Sequence, residues 1–329
     1  MFFSFDGLRA VAMATFVGAA FQAVPVLAQD AFPVTIEHVY GETTIESKPE
    51  RILTIGWMSQ DTVLALGEIP VGIPHTGTWG GDDEGLYPWV RARLDELGGE
   101  FPARLNYDDG IPFEDILALD PDVIIARHSG VTAEEYERLS AIAPTVAYVA
   151  QPWSGEWRDI TRTVGKIMGK GAEAEELVAE TEAKIAAMRE QHPEFAGRTF
   201  TFAGNVSEGA GELAIYVSTD PRVQLLQDMG LTLSEGVKAL PTDQGFNIRV
   251  SLENLESVDA DIFFAWHMDA SGADYVRTNP LISRFRPVAE GRFVSILDRS
   301  FVMATSAPSP LSIPFALDTL VPRISEVLQ

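Results

Sequence analysis

Two stretches of this chain end in side chains that could grip a small ligand. Residues 114–126 (EDILALDPDVIIA) run into Arg127 and His128, and residues 253–265 (ENLESVDADIFFA) run into Trp266 and His267. An arginine fork donates paired hydrogen bonds to oxyanions. An indole face covers apolar surface and attracts cations, and imidazole nitrogens coordinate metals. Trp57 and Met58 follow residues 51–56 (RILTIG), and Trp79 lies in a loop over 75–85 rich in glycine, aspartate and tryptophan. Tyr216, Arg249 and Arg299, at strand positions or loops of the second half, complete the candidate set. Each has a plainer reading too. A tryptophan can be partly core, and an arginine in an acidic chain can be a surface ion pair. His75, His128 and His267 lack the spacing of metal ligands and can simply hydrogen-bond.

The elements that must position these residues follow from the same two stretches. They share the leading Glu114 and Glu253, Asp120 with Asp259, Asp122 with Asp261, and a closing alanine. Val123, Ile124 and Ile125, like Ile262, Phe263 and Phe264, are wholly apolar, as a strand buried on both faces requires. Each copy therefore predicts a short helix, a turn containing aspartate and a buried strand. Ligands in open α/β sheets bind beyond the carboxyl ends of such strands. Around the first copy, residues 51–56, 71–74 and 145–149 predict strands, Ser59 caps a helix to Leu66, and Thr132 with Glu135 forms a capping box. Around the second, residues 198–204, 212–217 and 292–297 predict strands, Asp220 and Pro221 open a helix to Met229, and a last helix lies near 310–328. Residues 156–191 keep a helical period interrupted at Gly169, Lys170 and Gly171. The pattern predicts two Rossmann-like α/β lobes, over 29–152 and 197–329, each with a mainly parallel sheet. A long α-helical linker over 153–196, one kinked helix or two, joins them, with a ligand cleft between.

Composition narrows the function classes. Residues 1–28 read as a signal peptide: 10–26 are small and apolar, and Val26, Leu27 and Ala28 suit a signal peptidase. The expected mature chain starts at Gln29 and is exported in soluble form to a periplasm. The chain has no cysteine, which excludes a disulfide framework and a lipid-bearing cysteine at the cleavage site. With 48 acidic against 24 basic residues the net charge is −24, which repels nucleic acid and anionic membranes. There is no cysteine nucleophile, no G-x-S-x-G elbow and no H-E-x-x-H, so a binding protein is expected rather than an enzyme.

In its motifs the chain resembles periplasmic binding proteins of ABC importers that carry iron–siderophore complexes, haem or corrinoids. The resemblance rests on residues 51–56 (RILTIG), 65–72 (ALGEIPVG), 119–125 (LDPDVII), 139–146 (LSAIAPTV) and 250–253 (VSLE), in that order, and covers nearly all of the chain after Ala28. It implies lobes bridged by one long helix, small closure, and a preformed cleft suited to a bulky, rigid ligand. It also implies a monomer that docks on an ABC permease in the inner membrane. One glutamate on each lobe meets permease arginines in that family, and Glu114 and Glu253 stand at those positions. Either could equally favour the first turn of its own helix. The implied cargo is a ferric siderophore, with iron held by the chelator and no permanently bound cofactor. Arg127, Arg249 and Arg299 would then face chelator oxygens, while Trp57, Trp79, Tyr216 and Trp266 would line its apolar frame. A haem or corrinoid ligand, with Tyr216 or a histidine axial to haem, is the alternative. Direct zinc or manganese binding through His75, His128 and His267 is a further one.

Overall fold

The structure is a computed structural model that describes residues 1–2 and 32–329. Apart from its first two residues, the expected signal peptide over 1–28 lies outside the described residues. Val34–His38 (β1) and Gly41–Ile45 (β2) open the fold as an antiparallel hairpin. Each alternates exposed and buried residues, the pattern of a half-covered ribbon; the sequence reading assigned no element before Arg51. The first lobe is built on Ile52–Thr54 (β3), Gly72–Pro74 (β4), Ala103–Leu105 (β5), Val123–Ile125 (β6) and Thr145–Val146 (β7). They form a wholly parallel sheet in the order β5-β4-β3-β6-β7. Strand order reverses between β3 and β6, and a crevice opens beyond their carboxyl ends for that reason.

The second lobe repeats the plan with one change. Thr199–Ala203 (β8), Glu212–Tyr216 (β9), Thr232–Leu233 (β10), Asn247–Ser251 (β11), Ile262–Trp266 (β12) and Phe293–Ile296 (β13) form a mixed sheet in the order β11-β9-β8-β12-β13, with β10 also on β8. β8 pairs in parallel with β10 and β12, and β12 with β13, whereas β9 is antiparallel to both β8 and β11. Its reversal falls between β8 and β12. The two lobes thus present equivalent crevices, and a backbone hydrogen bond crosses each. Trp57 N donates to His128 O at 2.9 Å in the first, and Val206 N to Trp266 O at 3.1 Å in the second.

The paired aspartates of the repeat explain part of that equivalence. Asp122 Oδ2 accepts from Glu50 N and Arg51 N (2.7 and 3.0 Å), just ahead of β3. Asp261 Oδ2 accepts from Thr199 N and Oγ1, both at 2.9 Å, at the start of β8. In each lobe an aspartate preceding one central strand holds the first backbone N–H groups of its neighbour, which satisfies donors that the ladder leaves free. Thr132 and Glu135 form the expected capping box on helix Ala133–Ser140. Ser59 does not cap: it is the first residue of helix Ser59–Ala65, after Met58, and no side chain caps that end.

The linker is two helices. Trp157–Ile167 lies against Ser59–Ala65 and then turns into Gly171–Gln191, which packs beside it. Gly169, at φ +65, makes the turn. A Cβ on Gly165 would stand 2.3 Å from that of Ala174, so only glycine lets the two helices approach so closely. Arg158 on the first helix pairs with Glu182 on the second and with Asp228 of the second lobe. One hydrophobic core continues through this joint, from Ile36 and Val63 by way of Trp157 and Val164 to Phe202 and Ile324. The Trp89 ring lies 5.3 Å from that of Phe315 across the lobes. Beside it the buried Asp61 Oδ2 accepts from Trp89 Nε1 (2.8 Å) and from Ser309 Oγ (2.6 Å) of the other lobe. Burial pushes the Asp61 carboxyl up to about 6, against the lowering effect of those two bonds.

Candidate ligand site between the lobes

The first-lobe wall grows out of the ends of β3 and β6. Gly56, at φ +80, redirects the chain after β3, and a Cβ there would stand 2.2 Å from His128 O. The following Trp57 projects into the crevice. Its ring centroid is 4.7 Å from that of Trp153 and 6.2 Å from that of Trp79. Trp153 rests on Gly130, where a Cβ would meet its indole nitrogen at 2.9 Å. Met58 and Trp153 both hold positive φ, at 71 and 61. Backbone strain therefore flanks the indole cluster, a kind of placement common where structure is organised around a ligand. None of the three indole N–H groups has a hydrogen-bond partner among the described residues. His128 completes the wall, 5.8 Å from Trp153. Burial drives its imidazole down to about 3, with Arg222 adding to the effect, so the ring is neutral.

The second-lobe wall is tied together. Trp266, at the end of β12, donates through Nε1 to the Tyr216 hydroxyl at 2.7 Å. Tyr216 reaches it across β8 because Gly204 intervenes: a Cβ there would be 3.1 Å from the hydroxyl. Phe246 lies near-parallel to Tyr216, with ring centroids 6.3 Å apart. The Arg222 guanidinium lies 4.1 Å from the Tyr216 ring centre, a cation–π contact. Its Nη1 donates to Asp220 Oδ2 (2.7 Å) and its Nε to Ser306 Oγ (2.9 Å). Nη2 keeps no partner among the described residues and is free for a ligand. Asp220 is buried and caps the helix that carries Arg222. Burial raises its carboxyl, against the lowering pull of Arg222.

Two neighbouring spaces share Trp57, Trp79 and Trp153 in their linings. One, of about 200 Å³, touches both lobes and is bounded by Trp57, Trp153, His128, Tyr216, Arg222 and Trp266. The other, of about 460 Å³, opens from the same tryptophans into the first lobe, toward Tyr107, Asp108 and Glu135. Their size and aromatic lining suit a bulky small molecule. Among the described residues, Arg222 is the one lysine or arginine that lines either space.

Of the residues expected from sequence, the structure brings Trp57, Trp79, Tyr216 and Trp266 together at this cleft and places the three arginines outside its lining. Arg127 is buried, and its Nη1 donates to Glu37 O (3.2 Å) and Ala147 O (3.1 Å). It joins β1 to the segment after β7, and burial lowers its proton affinity, so it serves the first lobe's interior. Arg249 stands exposed on edge strand β11, opposite Ala214. Arg299 closes the rim instead: its Nη1 donates to Thr78 O at 2.9 Å, next to the contact of Ser300 Oγ with Gly80 O. Glu114 and Glu253 are exposed, on helix Phe113–Ala118 and the short 3-10 helix Leu252–Val258.

The three histidines stay apart in role. His75 Nδ1 accepts from Gly77 N, His128 belongs to the cleft, and His267 is buried with Nδ1 on Val206 O at 3.0 Å. Among the described residues no group of three or more His, Cys, Asp or Glu side chains is arranged to hold a metal ion. Sequence reasoning missed Trp153, Arg222 and Phe246. Arg222 was within reach of it, because the Asp220-Pro221 helix start follows directly on the strand ending at Tyr216. Trp153 carried no signal, since it sits in a loop whose left-handed backbone follows no local pattern.

Comparison with known proteins agrees with this geometry. A family described as "Periplasmic binding protein" matches residues 52–299. The Fe(3+)-citrate-binding protein of Bacillus subtilis is 26% identical over 257 residues, which cover 77% of this chain and 74% of that protein. The ferric enterobactin-binding periplasmic protein of Escherichia coli is 24% identical, covering 82% of this chain and 86% of its own. The crystal structure of Streptococcus pneumoniae PiaA in complex with ferrichrome superposes with a TM-score of 0.82 at 33% identity, covering 89% of this chain and 98% of that one.

Proposed function

The chain belongs to the periplasmic binding protein family, and we propose that it captures a ferric siderophore of hydroxamate type between its lobes and delivers it to an ABC permease. The observation that carries this reading is the imbalance of the cleft: four tryptophans, Tyr216 and Phe246 surround a single cation, Arg222, that Asp220 already partly neutralises. A ferric tris-hydroxamate has no net charge at its iron centre and buries against aromatic faces at little electrostatic cost. A tris-catecholate carries a charge of about −3, and burial beside one paired guanidinium would leave most of it uncompensated. The relative crystallised with ferrichrome supports the same ligand class. The continuous core beneath the cleft supports small closure around a rigid ligand.

Titration of tryptophan fluorescence tests the reading. Ferric tri-hydroxamates should quench the emission at sub-micromolar concentration, while a ferric tris-catecholate, ferric citrate, haem and cobalamin bind at least about tenfold more weakly. Tighter binding of a catecholate or of haem would overturn the hydroxamate assignment. Delivery is proposed to run through Glu114 and Glu253, which stand exposed at equivalent positions of the two lobes and form no ion pair among the described residues. Replacing both with alanine should leave chelate affinity unchanged and lower uptake in cells; loss of affinity would remove them from the docking role. The reading includes export to the periplasm and action as a monomer that binds without turning its ligand over. No helix among the described residues is long and apolar enough to cross a membrane.

A further inference from the structure

Trp79 is the least secured member of the first-lobe wall. It is 39% exposed, and among the described residues Trp57 is its one ring neighbour. Trp57, by contrast, also meets Trp153 and His128. The short 3-10 turn Gly77–Trp79 carries the ring. Within the first lobe, Trp79 N and Gly81 N both donate to Thr76 O at 2.9 Å, which shapes the turn. The carbonyls on either side of the tryptophan are held from the other lobe. Thr78 O accepts from Arg299 Nη1 at 2.9 Å, and Gly80 O accepts from Ser300 Oγ. Arg299 and Ser300 are the first two residues of helix Arg299–Ser306, which Asp298 caps through Phe301 N at 2.9 Å. A capped helix end presents both donors from a fixed place. Backbone fits against backbone here as well: a Cβ on Gly80, at φ +95, would stand 2.6 Å from Arg299 C, so only glycine allows the approach.

We propose that Arg299 and Ser300 are positioning residues that hold Trp79 against the ligand from the opposite lobe. The inference rests on the reading of the cleft as the ligand site and on no particular cargo. Both bonds cross between the lobes, so any parting at this rim breaks them and frees the Trp79 turn. The first-lobe wall is complete only while the lobes are together, and a bound chelate loses one indole face as the rim opens. Arg299 thus serves the ligand without touching it.

Replacing both residues with alanine (R299A/S300A) tests this first without ligand. Acrylamide should quench the tryptophan emission of the double variant more strongly than that of wild type. In a Trp79→Phe background the same two substitutions should leave the quenching unchanged. With a ferric tri-hydroxamate bound, dissociation from R299A/S300A should quicken about five- to tenfold, as the loss of two hydrogen bonds warrants. Arg299→Lys, which keeps a donor, should stay within about twofold of wild type by the same measure. Trp79→Ala should raise the rate by itself, and R299A/S300A should add nothing to it, as for residues that act through one side chain. Unchanged quenching in R299A/S300A, or a faster dissociation that persists in full in the Trp79→Ala background, would overturn the inference. If the wild type binds no tri-hydroxamate, the cargo assignment falls, and the acrylamide comparison alone decides the role of Arg299 and Ser300.

Discussion

The two walls of the cleft are made of similar residues and organised in opposite ways. On the first-lobe wall, Trp57 meets Trp79 edge-on and Trp153 at a tilt, their indole N–H groups stay free, and glycines and strained backbone position them. On the second-lobe wall, Trp266 is hydrogen-bonded to Tyr216, and Arg222, lying over the Tyr216 ring, is hydrogen-bonded to Asp220 and Ser306. The difference teaches that one wall is shaped by packing and the other by bonding. Replacing a residue on the first should cost affinity; on the second it should cost the fold as well.

The most severe test is Arg222→Met. It leaves Asp220 buried without its partner, and the unfolding free energy should drop by about 3 to 5 kcal/mol. In D220N/R222M most of that stability should return while ligand affinity stays low. Chemical denaturation that finds the single variant as stable as wild type would break the contrast between the walls. A smaller effect is expected from Trp57→Ala, and on the other readout. Affinity for a ferric tri-hydroxamate should fall by roughly 50-fold, or about 2 kcal/mol, with about 1 kcal/mol or less lost in stability. A larger loss of stability than of affinity would mean that this wall, too, is structural. The mildest change is Tyr216→Phe, which removes only the hydroxyl that accepts from Trp266. It should lower stability by about 1 kcal/mol and affinity a few-fold by calorimetry; an unchanged protein would show that the bond does not hold the wall in shape.

The same contrast explains what could be read from sequence. The buried strands β6 and β12 were legible because runs such as Val123 to Ile125 admit few other fates, and their repetition announced two lobes. Trp57 and Trp266 followed from strand ends alone. Arg127 did not, because β6 is apolar on both faces and offers no alternation to show which way the next side chain turns. The structure turns it inward to Glu37 and Ala147, whereas its counterpart Trp266 turns to the cleft. Asp122 and Asp261 were visible as a repeat, yet their service to β3 and β8 depends on which strand lies alongside, a fact of topology that no local spacing encodes. Trp153 depends on Gly130, far enough away in the chain that only the fold introduces them.

The joint beneath the walls sets a limit on how this protein could be re-engineered. Trp89 needs Phe315, and the Asp61 carboxylate needs Ser309, so each lobe completes the interior of the other. Cutting the chain between the lobes would strand a carboxylate in an apolar surface and bare a ring on each half. The lobes are therefore not interchangeable parts. A new cargo would have to come from point changes on the two walls, made within one cooperative unit, and not from grafting the half of one binder onto the half of another.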